Sequence, residues 1–144
     1  MSEISDFRTL RNLKISLSAG KIRYDINKLI NKKIIELDMA LVYITCKDKK
    51  EAEKISLHLL KKRVIACANI FPIKSMYCWR NKIANRNEYA IIAKTNNKVI
   101  KKLENEVKKI HSYQIPCILR INATANKEYE KWASKEIGYN AEHK

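Results

Sequence analysis

The chain has 144 residues, 46% of them hydrophobic and 31% charged, which suits one core and leaves no room for two ordinary domains. Its two glycines, Gly20 and Gly138, stand far apart, and this excludes the glycine-rich loops that bring backbone amides up to phosphate in P-loop and dinucleotide-binding proteins. Lys and Arg number 30 against 15 Asp and Glu, a net charge of +15, so a polyanion, an anionic membrane surface or an acidic metabolite would be drawn in from a distance.

Residues 1–38 read as a basic N-terminal extension, with loosely helical apolar spacing at Leu29, Ile30, Ile34 and Leu37. An organelle presequence is one alternative, against which the early acids Glu3 and Asp6 count; a domain with its own start at Met39 is another. From Met39 the periodicities sharpen. Leu41–Cys46 (LVYITC) is a continuous apolar and β-branched run, the pattern of a strand buried on both faces. Asp48 followed by Glu51 forms a capping box that starts a helix, with Ala52, Ile55, Leu59 and Leu60 along its buried stripe. His58 on that helix reads as a partly exposed surface residue.

Ala66–Phe71 predicts a second strand, broken at Pro72 and resumed over Ile73–Arg80, with Ser75, Tyr77 and Trp79 on one face. Asn81–Lys82 marks a turn and Glu88–Thr95 a third strand. Val99, Ile100, Leu103, Val107 and Ile110 give a second amphipathic helix, Ile115–Ala123 a fourth strand, and Tyr129–Ile137 a short terminal helix stopped by Gly138, beyond which 138–144 reads as a flexible tail. The order predicts an α+β fold, a ferredoxin-like split βαβ (βαββαβ) with a C-terminal helix. Helices then cover one sheet face, and the apolar second face requires a partner, so the sheet predicts self-association.

No charge-free stretch exceeds ten residues, whereas a membrane span needs about 20 apolar residues. Cys46, Cys67, Cys78 and Cys117 lack the close pairs of structural zinc sites. They read as reduced thiols in a cytoplasmic setting, each a small hydrophobe in an apolar run.

The segments EAEKISLHLLKKRVIACANI (Glu51–Ile70), SMYCWRNKI (Ser75–Ile83), EYAIIAKT (Glu88–Thr95), HSYQIPCI (His111–Ile118) and YEKW (Tyr129–Trp132) closely resemble the CutA family of divalent-cation tolerance proteins. The resemblance spans residues 39–137. It implies a ferredoxin-like domain assembled as a homotrimer, similar in plan to the PII signalling proteins, with Tyr77, Trp79 and Trp132 at the trimer interface. It also implies a role in tolerance of copper and other divalent metals. No catalytic reaction is established for the family, some members bind copper, and an animal branch is implicated in anchoring a cholinesterase.

Where the family usually reads HPYE, a hydrophobe, Pro and Glu, this chain reads His111-Ser112-Tyr113-Gln114-Ile115-Pro116-Cys117. Two acids are thus replaced, and the Cys117 thiolate favours soft ions such as Cu(I). The resemblance places Cys67 at the family's most typical cysteine. Cys67, His111 and Cys117 are accordingly the expected metal ligands for copper or another divalent cation, with no obligatory cofactor. His111 could instead cap the preceding helix as a cation. Trp79, Lys94 and Tyr113 could line an intersubunit pocket for a small anion or partner protein, in the manner of a PII-like sensor; the alternative for Lys94 is a salt bridge to Glu88 or another acid.

A Cys–His nucleophile pair would be the enzymatic reading, but nothing locates its base, orienting residue or oxyanion hole, so no enzyme is expected. Residues 39–137 contain no glycine, which argues against the glycine- and aromatic-rich strands of an RNA-recognition module and leaves no specific nucleic-acid partner.

Overall fold

The computed structural model describes residues 39–138; the predicted extension over 1–38 and the tail beyond Gly138 lie outside them. The elements run β1 (Met39–Cys46), α1 (Lys49–Lys61), β2 (Cys67–Trp79), β3 (Lys82–Asn96), a 3₁₀ turn (Asn97–Val99), α2 (Ile100–Ile110), β4 (Ile118–Ala123) and α3 (Lys127–Glu136). They form one antiparallel sheet in the order β2-β3-β1-β4. Strands β1 and β2 run parallel with β3 between them, and β3 and β4 with β1 between them. This is the interleaved pair of split βαβ units that the element order predicts.

Alternation along β1 decides which face is covered. Ala40, Val42, Ile44 and Cys46 are at most 1% exposed and share a core with Ala52, Ile55 and Leu59 of α1, Leu103 and Val107 of α2, and Ile91 and Ala93 of β3. Both crossover helices therefore lie on one face, and each fully buried Ile, Leu or Val contributes about 1.5–3 kcal/mol through its lost contact with water. The opposite face is open. Leu41, Tyr43 and Thr45 are half-buried there, and Leu119 and Ile121 of β4 are 55% and 53% exposed. Within one chain β1 is thus covered on one face only, where its unbroken apolar run predicts two. Helix α3 closes only the end of the open face, where Ala133 and Ile137 meet Met39 and Ala66.

Three strands differ from the sequence reading. Pro72 sits inside β2 opposite Tyr89 and does not break it, because β2 is the edge strand, where a missing N–H deprives no neighbour. The turn falls on Arg80–Asn81, with φ of 48° and 60°, a two-residue hairpin of the type in which both central residues are left-handed. Strand β3 therefore starts at Lys82, six residues before the apolar run, since the polar stretch Lys82–Asn87 pairs with Lys74–Trp79 alone. The result is a two-stranded arm of about 20 Å. It exposes Met76, Trp79 and Ile83. Strand β4 begins at Ile118, later than the predicted Ile115, because Pro116 has no N–H to give to a ladder.

Candidate metal-binding site

Three segments meet where β1 ends. Cys46 is the last inward-facing residue of that strand and is wholly buried. The chain then turns, and Asp48 caps α1 by accepting the Glu51 amide at 2.8 Å. The Glu51 carboxylate folds back, accepting the Lys47 N–H through Oε2 at 2.9 Å and the Ser112 N–H through Oε1 at 2.7 Å. It thereby ties the start of α1 to the loop that follows α2. Burial pushes this carboxyl upward, but the bonds from Ser112 and Lys47 outweigh it and leave it below its ordinary value.

His111 completes the junction. Its Nε2 lies 2.8 Å from the Thr45 carbonyl oxygen and its Nδ1 3.0 Å from the Tyr113 amide nitrogen. A carbonyl only accepts and an amide only donates, so the ring carries its proton on Nε2 and is neutral. His111 is the C-cap residue of α2, its amide donating to Val107 at 3.0 Å. Its backbone thus closes the helix end while its ring reaches β1. The Tyr113 ring stands 5.2 Å from the imidazole, and its hydroxyl donates to buried Glu88 at 2.5 Å. Burial and that carboxylate raise the phenol well above its usual range.

Sγ of Cys46, a carboxylate oxygen of Glu51 and a ring nitrogen of His111 all lie within 4.8 Å of one another. A sulfur, an oxygen and an imidazole suit a borderline or soft cation such as Cu(II), Zn(II) or Cu(I). Burial, with Glu51 and Asp48 adding to it, pushes the Cys46 thiol up to about 12, so the sulfur holds its proton at neutral pH. A cation must displace that proton and take one imidazole nitrogen from its backbone partner.

The other predicted ligands lie elsewhere in the single chain. Cys67 pairs with Lys94, which pairs with Leu41, about 13 Å along the strands from Thr45 and two strand spacings across. Its sulfur lies beside the Tyr129 hydroxyl and, after burial, helps to raise that phenol. Cys117 precedes β4 close to Tyr43, whose phenol is raised by burial first and then by Cys117 and Glu88. Within one protomer His111 thus meets Cys46 and Glu51, and not Cys67.

Trp79, Lys94 and Tyr113 do not converge within one protomer either. Trp79 pairs with Lys82 at the tip of the arm, about 40 Å along β3 from Lys94. Lys94 Nζ lies 5.7 Å from the centroid of the Tyr129 ring. Among the described residues it forms no ion pair with Glu88, which is six positions away along the strand and bonded to Tyr113. Tyr77 and Trp132 are 39% and 44% exposed, and the Trp132 ring tilts against Tyr129 at 5.3 Å.

Sequence reasoning missed Cys46 and Glu51 as site residues, because each had a sufficient local role, one as strand core and the other as helix cap. It also missed the joint between the helices, where Oε2 of buried Glu106 lies 2.6 Å from His58 Nε2 and Oε1 accepts from Lys109 at 2.7 Å. Those partners, Lys109 first, hold the Glu106 carboxyl down at about 2.

An antiparallel sheet of two interleaved βαβ units, helices on one face only, and a Cys–Glu–His group at the strand end define an α+β domain of the ferredoxin-like class. The chain belongs to the family described as the CutA1 divalent ion tolerance protein, whose model matches residues 40–136. It is 41% identical over 97 residues to the divalent-cation tolerance protein CutA of Archaeoglobus fulgidus, covering 67% of this chain and 95% of that protein. To its counterpart in Pyrococcus horikoshii it is 38% identical over 99 residues, covering 68% and 97%. The crystal structure of CutA1 from Ehrlichia chaffeensis matches with a TM-score of 0.67 at 38% identity, over 69% of this chain and 94% of that one. The structure of the Archaeoglobus protein, described as periplasmic, matches with 0.67 at 40% identity, over 68% and 97%. Among the described residues no helix is long and apolar enough to cross a membrane.

Proposed function

We propose that this protein is a non-catalytic homotrimer acting in tolerance of divalent metal, and that it takes up copper at Cys46, Glu51 and His111. Membership of a divalent ion tolerance family supports the general role. The observation that carries the site is the approach of a thiol, a carboxylate and an imidazole to within 4.8 Å. A depression of about 270 Å³ beside Ile110 and Ser112 opens onto Glu51 from solvent. A non-catalytic role fits a thiol that keeps its proton and an imidazole whose two nitrogens are spent on backbone. Trimer formation fits the uncovered Leu119 and Ile121 and the exposed arm, since an isolated two-stranded ribbon is marginally stable in water. A cytoplasmic setting fits four cysteines that are all free.

The test is copper titration of the full chain, followed by dialysis and metal analysis, for the parent, Cys46→Ala and His111→Ala. Stoichiometric copper in the parent and its loss in both variants is the expected result. Retention by both variants refutes the site.

A second reading, a PII-like sensor of a small anion or partner protein at subunit junctions, is favoured by Lys94. Its ammonium lies over Tyr129 with no carboxylate partner among the described residues. On that reading Lys94→Ala abolishes anion binding while copper retention is unchanged.

A further inference from the structure

The positive charge is distributed unevenly over the described residues. On α1 the residues Lys50, Lys54, Leu57 and Lys61 follow one another at intervals of four, three and four, which sets them in a line along one side of the helix, and all four are exposed. On α2 the exposed Lys101, Lys102, Lys108 and Lys109 lie opposite the buried Leu103 and Val107. Both helices cover the same sheet face and are joined through His58 and Glu106, so the two lysine-bearing sides form one outer surface.

Of the acids on these helices Glu53 and Glu106 are each paired with a lysine and Glu104 stands half-buried on α2, so Lys50, Lys54, Lys61, Lys101, Lys102 and Lys108 carry the charge of this surface. Glu53 pairs with Lys49 at 3.6 Å, and Glu106 is buried between the helices with Lys109 and His58. The open sheet face, by contrast, presents Leu119 and Ile121 and, from β1 and β3, Leu41, Tyr43, Ile92 and Lys94. Basic residues also lie on the arm (Lys74, Arg80, Lys82 and Arg86) and on α3 (Lys127, Lys131 and Lys135), but α1 lines its lysines up beside two exposed leucines.

We infer that the outer surface of α1 and α2 docks on an anionic phospholipid bilayer. Two features select a bilayer over a nucleic acid. Leu57 and Leu60 are 53% and 41% exposed on α1 among the lysines, and apolar side chains within a basic helix face enter the headgroup boundary while lysine stems reach around them. The surface also carries no aromatic ring for base stacking and no arginine fork for phosphate or guanine. Four to eight lysines on one amphipathic surface are what an anionic leaflet attracts. The helix α1 offers a contact about 20 Å long.

The experiment is sedimentation of the full chain with phosphatidylcholine vesicles and with vesicles in which about a third of the lipid is phosphatidylserine, at about 0.05 and 0.3 M salt. Binding to the anionic vesicles alone, lost at the higher salt, is the expected result. The triple variant Lys50→Gln, Lys54→Gln, Lys61→Gln should bind about 100-fold more weakly, at roughly fivefold per lysine. Because residues 1–38 are unchanged in it, the triple variant separates this surface from the basic extension. Leu57→Ala should weaken vesicle binding with the charge intact. Circular dichroism of each variant checks that it is folded. Equal binding to both vesicle types, no binding at low salt, or a triple variant that binds like the parent overturns the inference. So does tighter binding of duplex DNA that is indifferent to Leu57→Ala, which would reassign the surface to nucleic acid.

Discussion

Replacing Glu51 is expected to loosen the joint between β1, α1 and the loop after α2. The residue is 6% exposed, and its carboxylate is the acceptor for the amides of Lys47 and Ser112 at 2.9 and 2.7 Å. In Glu51→Ala two donors lose their partner, at about 1–3 kcal/mol each where water cannot replace it. Lys47 and Ser112 are themselves exposed, so water recovers part of this, and about 2–4 kcal/mol is the expected loss. Glu51→Gln keeps one acceptor oxygen and turns an NH₂ toward the other amide, which should cost about half as much. For a folded region of this size each kcal/mol moves the midpoint by about 4–8 °C, so the alanine variant should melt about 10–30 °C lower. The assay is thermal unfolding followed by circular dichroism at one fixed chain concentration, since self-association makes the midpoint concentration-dependent. Acid titration supplies a second readout. The folded carboxyl lies below its unfolded value, so its contribution is complete above the ordinary carboxylate range and is lost as pH falls through the folded pKa; Glu51→Ala should therefore have a flatter acid limb. Midpoints within about 2 °C of the parent for both variants, with unchanged acid limbs, would refute the reasoning.

Glu106, held down at about 2 against an ordinary 4.5, should likewise stabilise the fold above pH 4.5 and cease to do so as the pH falls toward 2; Glu106→Gln should flatten that part of a pH–stability curve. Arg63 has a φ of 53° and binds the Glu136 carbonyl at 3.1 Å and its carboxylate at 3.3 Å. Arg63→Ala and Arg63→Gly both lose the clamp and should be less stable than the parent in urea unfolding, with Ala, which keeps the backbone strain that Gly relieves, the less stable of the two; the opposite order would count against the strain argument. If the open sheet face is the trimer contact, Ile121→Glu should reduce the light-scattering mass to that of one chain. Because copper must displace the Cys46 proton, its apparent affinity should rise about tenfold per pH unit near neutrality, and an affinity flat with pH would mean that the thiol is not a ligand.

Much of the fold was legible because it rests on periodicity. Ala52, Ile55 and Leu59 recur at helical spacing, Asp48 caps where a helix must start, and Gly138 adopts the left-handed φ of 71° that ends α3. What failed was local punctuation. Pro72 reads as a break until its strand is known to be an edge, and Lys82–Asn87 has no apolar alternation because the arm has little to bury within one chain. The site was half legible. His111 was singled out, but its companions depend on a register between β1 and the helix ends that no local spacing encodes, and Cys46 and Glu51 already satisfied simpler explanations. Cys67 follows from the resemblance alone, and in the single chain it lies at the other end of the sheet.

The geometry around His111 also links metal uptake to rigidity. Each imidazole nitrogen secures one backbone group, Thr45 on β1 and Tyr113 beyond α2, so a cation that takes either nitrogen releases one of these ties. Release at Nδ1 frees the Tyr113 segment, whose hydroxyl is bonded to Glu88 on the neighbouring strand; release at Nε2 frees the end of β1. Loading therefore exchanges hydrogen bonds within the protomer for metal bonds, and it should register as altered amide exchange at Tyr113 if Nδ1 is the ligand, or as a changed Thr45 carbonyl environment if Nε2 is. A site that loads copper while leaving both groups unaltered would mean that the imidazole is not a ligand, and that the metal is held by Cys46 and Glu51 without it.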